Sequence, residues 1–145
     1  ETFHQHYGKD NIVRNNIFAF GGEGAFIITK HEEHNSLTAT NNIFVTDNAP
    51  MYAFGLERNW FVDDSNLYWD YDRGGRVVAG HSTKLFDRKS LVGVVALGYF
   101  NNAVYEDPLF KDAANRDFTL AENSPALETG FKPFSYDAGT LTKFK

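Results

Sequence analysis

At 145 residues the chain is about one domain long, and 42% hydrophobic with 16% aromatic residues is core-forming rather than disordered composition. A formal charge of −5 without a basic run excludes the electrostatic footprint of a nucleic-acid binder and offers no attraction to an anionic membrane. No apolar stretch approaches the roughly 20 residues of a membrane span, and zero cysteines exclude disulfides, thiolate nucleophiles and zinc–thiolate sites. The chain opens at Glu1 without an initiator Met or a signal segment, as expected of a processed or excised piece.

From the N-terminus, the first β-prone runs are Phe3–Lys9 and Asn11–Arg14, followed by Asn15-Asn16-Ile17-Phe18. That unit returns as Asn41-Asn42-Ile43-Phe44 and as Ser65-Asn66-Leu67-Tyr68, so its second Asn recurs after 26 and then 24 residues. Leu37–Thr40 and Phe61–Asp64 precede the later copies as Asn11–Arg14 precedes the first, and Ala25–Thr29 and Met51–Phe54 lie between them. Short strands joined by Asn and Gly, repeating every ~25 residues without helical periodicity, describe a parallel β-solenoid. Asn suits the repeated corner because it tolerates left-handed backbone and bonds locally, and stacked corners let the amides form a ladder. Ile17, Ile43 and Leu67 are expected to stack in one buried column, with ~4.8 Å between strands. The alternative is an antiparallel sandwich whose strands begin with Asn.

Beyond Tyr71 the pattern breaks. Asp72–Arg76 is a turn-rich loop, and Asp87–Leu97, closed by Gly98, has the polar start, apolar middle and terminal Gly of a short helix. Ser124-Pro125-Ala126-Leu127 suits a helical turn with Ser124 as N-cap, Pro125 at its first position and Gly130 beyond its end. Leu109, Phe110, Phe118, Leu120 and Phe131 are the expected anchors of this tail, each worth about 1.5–3 kcal/mol if buried. The expected organisation is one domain: repeat coils over 1–70, then a final coil, short helix and packed tail over 71–145.

Ala96–Tyr99, Asp107–Phe110, Asp117–Leu120, Ser124–Leu127 and Gly130–Phe134, taken in order, resemble the closing segment of bacterial right-handed parallel β-helix proteins of the pectin lyase-like superfamily. The opening His4–Asn11 followed by Asn15–Phe18 resembles their last coils. The chain departs from that pattern at Val94 or Val95, where relatives often carry a Trp, and near Phe100, where they often carry an acid. The resemblance implies an all-β fold, a right-handed parallel β-helix of about three to four coils with a short helix and extended tail. It also implies a secreted or periplasmic carbohydrate-active protein, with upstream coils or another chain covering the N-terminal edge. The superfamily holds glycoside hydrolases, polysaccharide lyases and non-catalytic surface proteins, so fold alone does not choose among them.

Aligned on the second Asn, Glu33 and Glu57 stand at equivalent positions, one coil and roughly 5 Å apart, close to the carboxyl spacing of a retaining glycosidase. They are the candidate catalytic pair, against the alternative of a solvated corner with Glu33 and Arg58 as a surface ion pair. His34 and Arg58 follow them and Lys30 precedes, as candidate contacts to sugar hydroxyls or an acidic sugar. His4 and His6 alternate along a strand, facing one side with Gln5 opposite, and fit the same groove. Trp69 is the candidate stacking surface, among Trp60, Tyr68 and Tyr71. His31 and His34 with their glutamates lack the order of a helical zinc motif. Asp63, Asp64, Asp70 and Asp72 offer oxygen ligands for Ca²⁺, but alternation separates the first two, and solvated turns are the preferred reading. No metal or cofactor is expected. Two functions follow: a fragment of a glycoside hydrolase or lyase acting on a poly- or oligosaccharide, or a non-catalytic glycan-binding or structural module. Most of a multi-coil groove lies outside 145 residues, so the chain alone is expected not to cleave polysaccharide.

Overall fold

The short β-prone runs between Asn, Gly and Ser become strands, and each repeat lays its strands beside those of the repeat before. The computed structural model describes residues 2–22, 24–28, 32–49, 51, 61–72, 77–78, 85–86 and 100–135. Among them the strands are β1 (Phe3–Gln5), β2 (Asn11–Arg14), β3 (Ile17–Ala19), β4 (Phe26–Ile28), β5 (Leu37–Thr40), β6 (Ile43–Thr46), β7 (Phe61–Asp64), β8 (Leu67–Asp70), β9 (Val77–Val78), β10 (Leu85–Phe86), β11 (Phe110–Asp112) and β12 (Asp117–Leu120). Short 3-10 helices occupy Ala113–Asn115 and Pro125–Thr129. The predicted helix at Asp87–Leu97 lies outside the described residues.

Parallel pairing dominates. β1 pairs with β4, while β2-β5-β7 and β3-β6-β8 form three-stranded sheets. Ile17, Ile43 and Leu67 share one row, and Asn11, Leu37 and Phe61 share another. The 26- and 24-residue Asn spacing is therefore the register of both larger sheets, and antiparallel pairing of these strands is excluded. Phe3 pairs with Phe26, a step of only 23, so the second repeat holds three additional residues between β4 and β5. His34 Nε2 lies 3.1 Å from the Gly8 carbonyl, which restores the 26-residue step and puts the extra residues before His34.

The two corner residues of each repeat do different work. Asn15, Asn41 and Ser65 take left-handed backbone, φ 56°, 55° and 53°, which an Asn adopts at small cost. The next residue carries the ladder. Asn16 Nδ2 donates to Asn42 Oδ1 at 3.3 Å, and Asn42 Nδ2 to Asn66 Oδ1 at 3.1 Å. Asn42 and Asn66 are fully buried, so these bonds satisfy groups that would otherwise be costly to desolvate. Parallel bridges Asp64–Asn101 and Leu67–Val104 begin a fourth repeat, setting Asn102 (φ 50°) level with Ser65 and ending the ladder at Ala103.

Consecutive side chains on the β3-β6-β8 sheet fill two cores. Phe18, Phe44 and Tyr68 stack at centroid distances of 4.9 and 5.3 Å, in a core shared with Leu37, Ala39, Phe61 and Met51. Ile17, Ile43 and Leu67 form the expected column, but beneath the C-terminal segment with Ala126 and Phe131; Ile43 and Leu67 are fully buried, whereas Ile17, at the open end, is half-buried. Both faces of β6 are consequently buried.

The tail is latched to the repeats by the first asparagines. Asn15 Nδ2 donates to the Lys132 carbonyl at 2.9 Å, and Lys132 N donates to Asn15 Oδ1 at 2.6 Å. Asn41 Nδ2 donates to the Thr129 carbonyl. Gly130 (φ 81°) closes the 3-10 helix, and a Cβ there would stand 3.1 Å from Asn41 Nδ2, so close approach and backbone both call for Gly. As expected, Ser124 caps this helix and Pro125 opens it. Phe131 is buried and Phe110, Phe118 and Leu120 are half-buried, but Leu109 is 37% exposed with φ 56°, so the turn after Asp107 points this expected anchor outward.

Two of the four aspartates read as solvated turns are fully buried. Asp63 accepts from the Tyr68 hydroxyl at 2.7 Å and from Asn66 Nδ2 at 2.8 Å. Asp70 accepts from Thr46 Oγ1 at 3.1 Å and from the backbone N–H of Asn48 and Asp72. Inward strand parity, not solvation, places them; Asp64 is half-buried and Asp72 exposed. No helix among the described residues is long and apolar enough to cross a membrane.

Candidate functional site

The corner after β4 carries the first group of predicted residues. Glu33 is exposed there, and His34, bound to Gly8, lies 3.6 Å from Glu32. Glu57, Arg58, Lys30 and His31 lie outside the described residues, as does Trp60. His4 and His6 are both exposed with ring centroids 6.0 Å apart, while Gln5 between them is 4% exposed, so the predicted alternation holds. Among the described residues no group of three or more His, Asp or Glu is arranged to hold a metal.

Trp69 leads to a second location. β8 turns Leu67 and Trp69 toward the C-terminal segment and Tyr68 and Asp70 away from it. In its row Ala19 and Val45 precede Trp69, so the indole extends where earlier repeats carry small side chains. Trp69, Tyr105, Glu106, Asp107, Asn123 and Glu128 line a cleft of about 450 Å³ between the last strand and the tail. The tail walls are pinned: Asp107 Oδ1 accepts from Leu109 N at 2.8 Å, and Ser124 Oγ donates to the Pro108 carbonyl at 2.6 Å.

The chemistry of this cleft is aromatic and anionic. Trp69 Nε1 is buried and has no hydrogen-bond partner among the described residues. Among the described residues, three carboxylates line the walls and no basic side chain does. Tyr71, packed edge-on to Trp69 at 6.3 Å, reports the same environment: burial first, then the Asp107 charge, push its hydroxyl up to about 12. Two other clefts are differently made. One places the Arg116 guanidinium 4.7 Å over the Phe20 ring beside Asp47, and the other is a cationic groove between Arg14 and Lys132.

Of the predicted residues, the structure brings Trp69 into a cleft and sets His4 beside His6. Tyr105, Glu106, Asp107, Asn123 and Glu128 were not anticipated, because they reach Trp69 only when the tail folds back over the sheet. Asn101-Asn102-Ala103-Val104, a degenerate copy of the repeat unit, was the available signal that the chain returns there. Compared with protein-family models, curated proteins and solved structures, the chain matches none.

Proposed function

We propose that the chain is the C-terminal part of a right-handed parallel β-helix from a secreted or periplasmic carbohydrate-active protein, and that its Trp69 cleft binds a sugar unit of a poly- or oligosaccharide. Stacked parallel repeats with an Asn ladder and a latched tail support the β-helix reading. The observation that carries the binding role is the Trp69 indole lining one cleft with Tyr105, Asn123 and three carboxylates. A pyranose ring offers C–H faces to aromatic surfaces and hydroxyl donors to carboxylates and Asn123. Three carboxylates repel a uronic acid, so the preferred ligand is a neutral or amino sugar. Cleavage belongs to a longer parent: Glu33 is exposed to solvent, and with Glu57 it remains the candidate catalytic pair, beside His4, His6, Lys30, His34 and Arg58 as candidate sugar contacts.

Titration with neutral, amino-sugar and uronate oligosaccharides, followed by isothermal calorimetry, tests this. The first two are expected to saturate and the third not to. Trp69→Ala should weaken binding at least about tenfold, roughly 1.4 kcal/mol, with the far-UV spectrum unchanged. Equal affinity in that variant would remove the cleft from the proposal. Cleavage that disappears in Glu33→Gln or Glu57→Gln would instead place catalysis within this chain.

A further inference from the structure

The asparagine ladder has a direction. Asn42 Oδ1 accepts the backbone N–H of Asn16 at 3.0 Å and its Nδ2 at 3.3 Å, and Asn66 Oδ1 receives the same pair from Asn42 at 2.8 and 3.1 Å. Each Oδ1 thus faces the preceding repeat. Each buried Nδ2 also reaches back one repeat to a carbonyl, Asn42 to Val13 and Asn66 to Ala39, both at 2.9 Å. Asn16 breaks both rules. Its Oδ1 receives no donor among the described residues, and its Nδ2 folds onto its own Arg14 carbonyl at 2.8 Å.

A second, independent observation lies at the same end. Gln5 is 4% exposed, yet neither its Nε2 nor its Oε1 has a partner. β1, β2 and β3 are each the outermost strand of their sheets, and Ile12 on β2 is 71% exposed. A buried amide with both ends unsatisfied, at the same end as an unfinished ladder, marks a surface built to be covered.

We infer that this face takes one more repeat of the same kind, laid parallel on β1–β3, with an Asn whose backbone N–H and Nδ2 donate to Asn16 Oδ1. The inference rests on the parallel β-helix reading and names the chemistry of what covers its open end. A second copy related by a two-fold axis does not fit: it would oppose Asn16 Oδ1 to Asn16 Oδ1, two acceptors without a donor, and run the edge strands antiparallel.

The test adds such a repeat to the full chain. A copy of residues 24–50 fused ahead of Glu1 sets a copied ladder asparagine 24 residues before Asn16, the natural Asn42-to-Asn66 interval. Hydrogen exchange at β1–β3 is expected to slow at least tenfold, and the slowing to be lost with Asn42→Leu in the copied segment or with the copied residues scrambled. Unchanged exchange at β1–β3 while β5 and β6 are protected would overturn the inference and leave the β-helix reading standing. Unprotected β5 and β6 would overturn both. A dimer of the parent chain that already protects β1–β3 would also overturn it, by assigning the face to a second copy.

Discussion

Asn42 is satisfied on every side: its Oδ1 takes two donors from Asn16, and its Nδ2 reaches Val13 and Asn66. Asn42→Leu nearly keeps the volume but strands the Val13 carbonyl and the Asn16 N–H, and should cost about 3 kcal/mol in urea unfolding. Asn16→Leu removes an exposed member and should cost less than about 1 kcal/mol; equal effects would contradict a buried ladder. Tyr71 supplies a pH test. Its folded-state value, raised to about 12 from near 10, means the folded chain holds a proton that the unfolded chain has lost. Stability is therefore unaffected below pH 10 and falls as pH rises from about 10 to 12. Tyr71→Phe should flatten that fall in urea midpoints measured across the range. Asp117 runs the other way, held below the usual carboxylate range chiefly by the Thr119 hydroxyl and N–H and then by Lys111 at 3.5 Å. Its contribution is present above the ordinary Asp value and is lost on acidification. At this scale the ladder was legible, because an Asn every 24 to 26 residues has few other physical uses. Asp63 and Asp70 were misread because each stands close to another Asp, and such acidic groups in a sequence look like solvated turns, whereas Tyr68 and Asn66 make the burial of Asp63 tolerable and Thr46 that of Asp70.

Among elements, the β3-β6-β8 sheet explains both what the sequence pattern revealed and what it hid. Asn-Asn-Ile-Phe marks the strand and its register, and β2, β5 and β7 fall where expected. It does not say which of two consecutive hydrophobic residues faces inward, since a strand buried on both faces shows no polar alternation. Ile43 and Phe44 are both fully buried, one beneath the tail and one between the sheets. A final coil was expected over 71–145, but its place at Asn101–Val104 was not legible because Asn102 follows Ser65 by 37 residues, where the regular interval is 24 to 26. The same long return brings the tail to Trp69, so the cleft could not be seen from any local run. Phe131, 3% exposed against Ile43 and Leu67, tests the tail's role. Phe131→Ala should destabilise by about 3 kcal/mol, while Leu109→Ala should cost less than about 1 kcal/mol. Similar urea midpoints for the two variants would mean that the tail does not cover the Ile17–Ile43–Leu67 column.

At the scale of the whole molecule, the outer rows of stacked strands predict which positions meet. Ile12, Thr38 and Val62 are register partners on β2, β5 and β7, and Ile12 and Val62 are exposed. Neighbouring strands lie about 4.8 Å apart, within disulfide reach, whereas strands two apart, at about 9.6 Å, are not. The chain has no cysteine of its own, so introduced pairs can be read without background. The decisive measurement is oxidative cross-linking of three double variants: Ile12→Cys with Thr38→Cys, Thr38→Cys with Val62→Cys, and Ile12→Cys with Val62→Cys. Stacked parallel repeats predict rapid intramolecular disulfides in the first two and none in the third. Cross-linking of the third pair, or failure of the first two in folded protein, would contradict the stacking on which the cleft, the latch and the open ladder all depend.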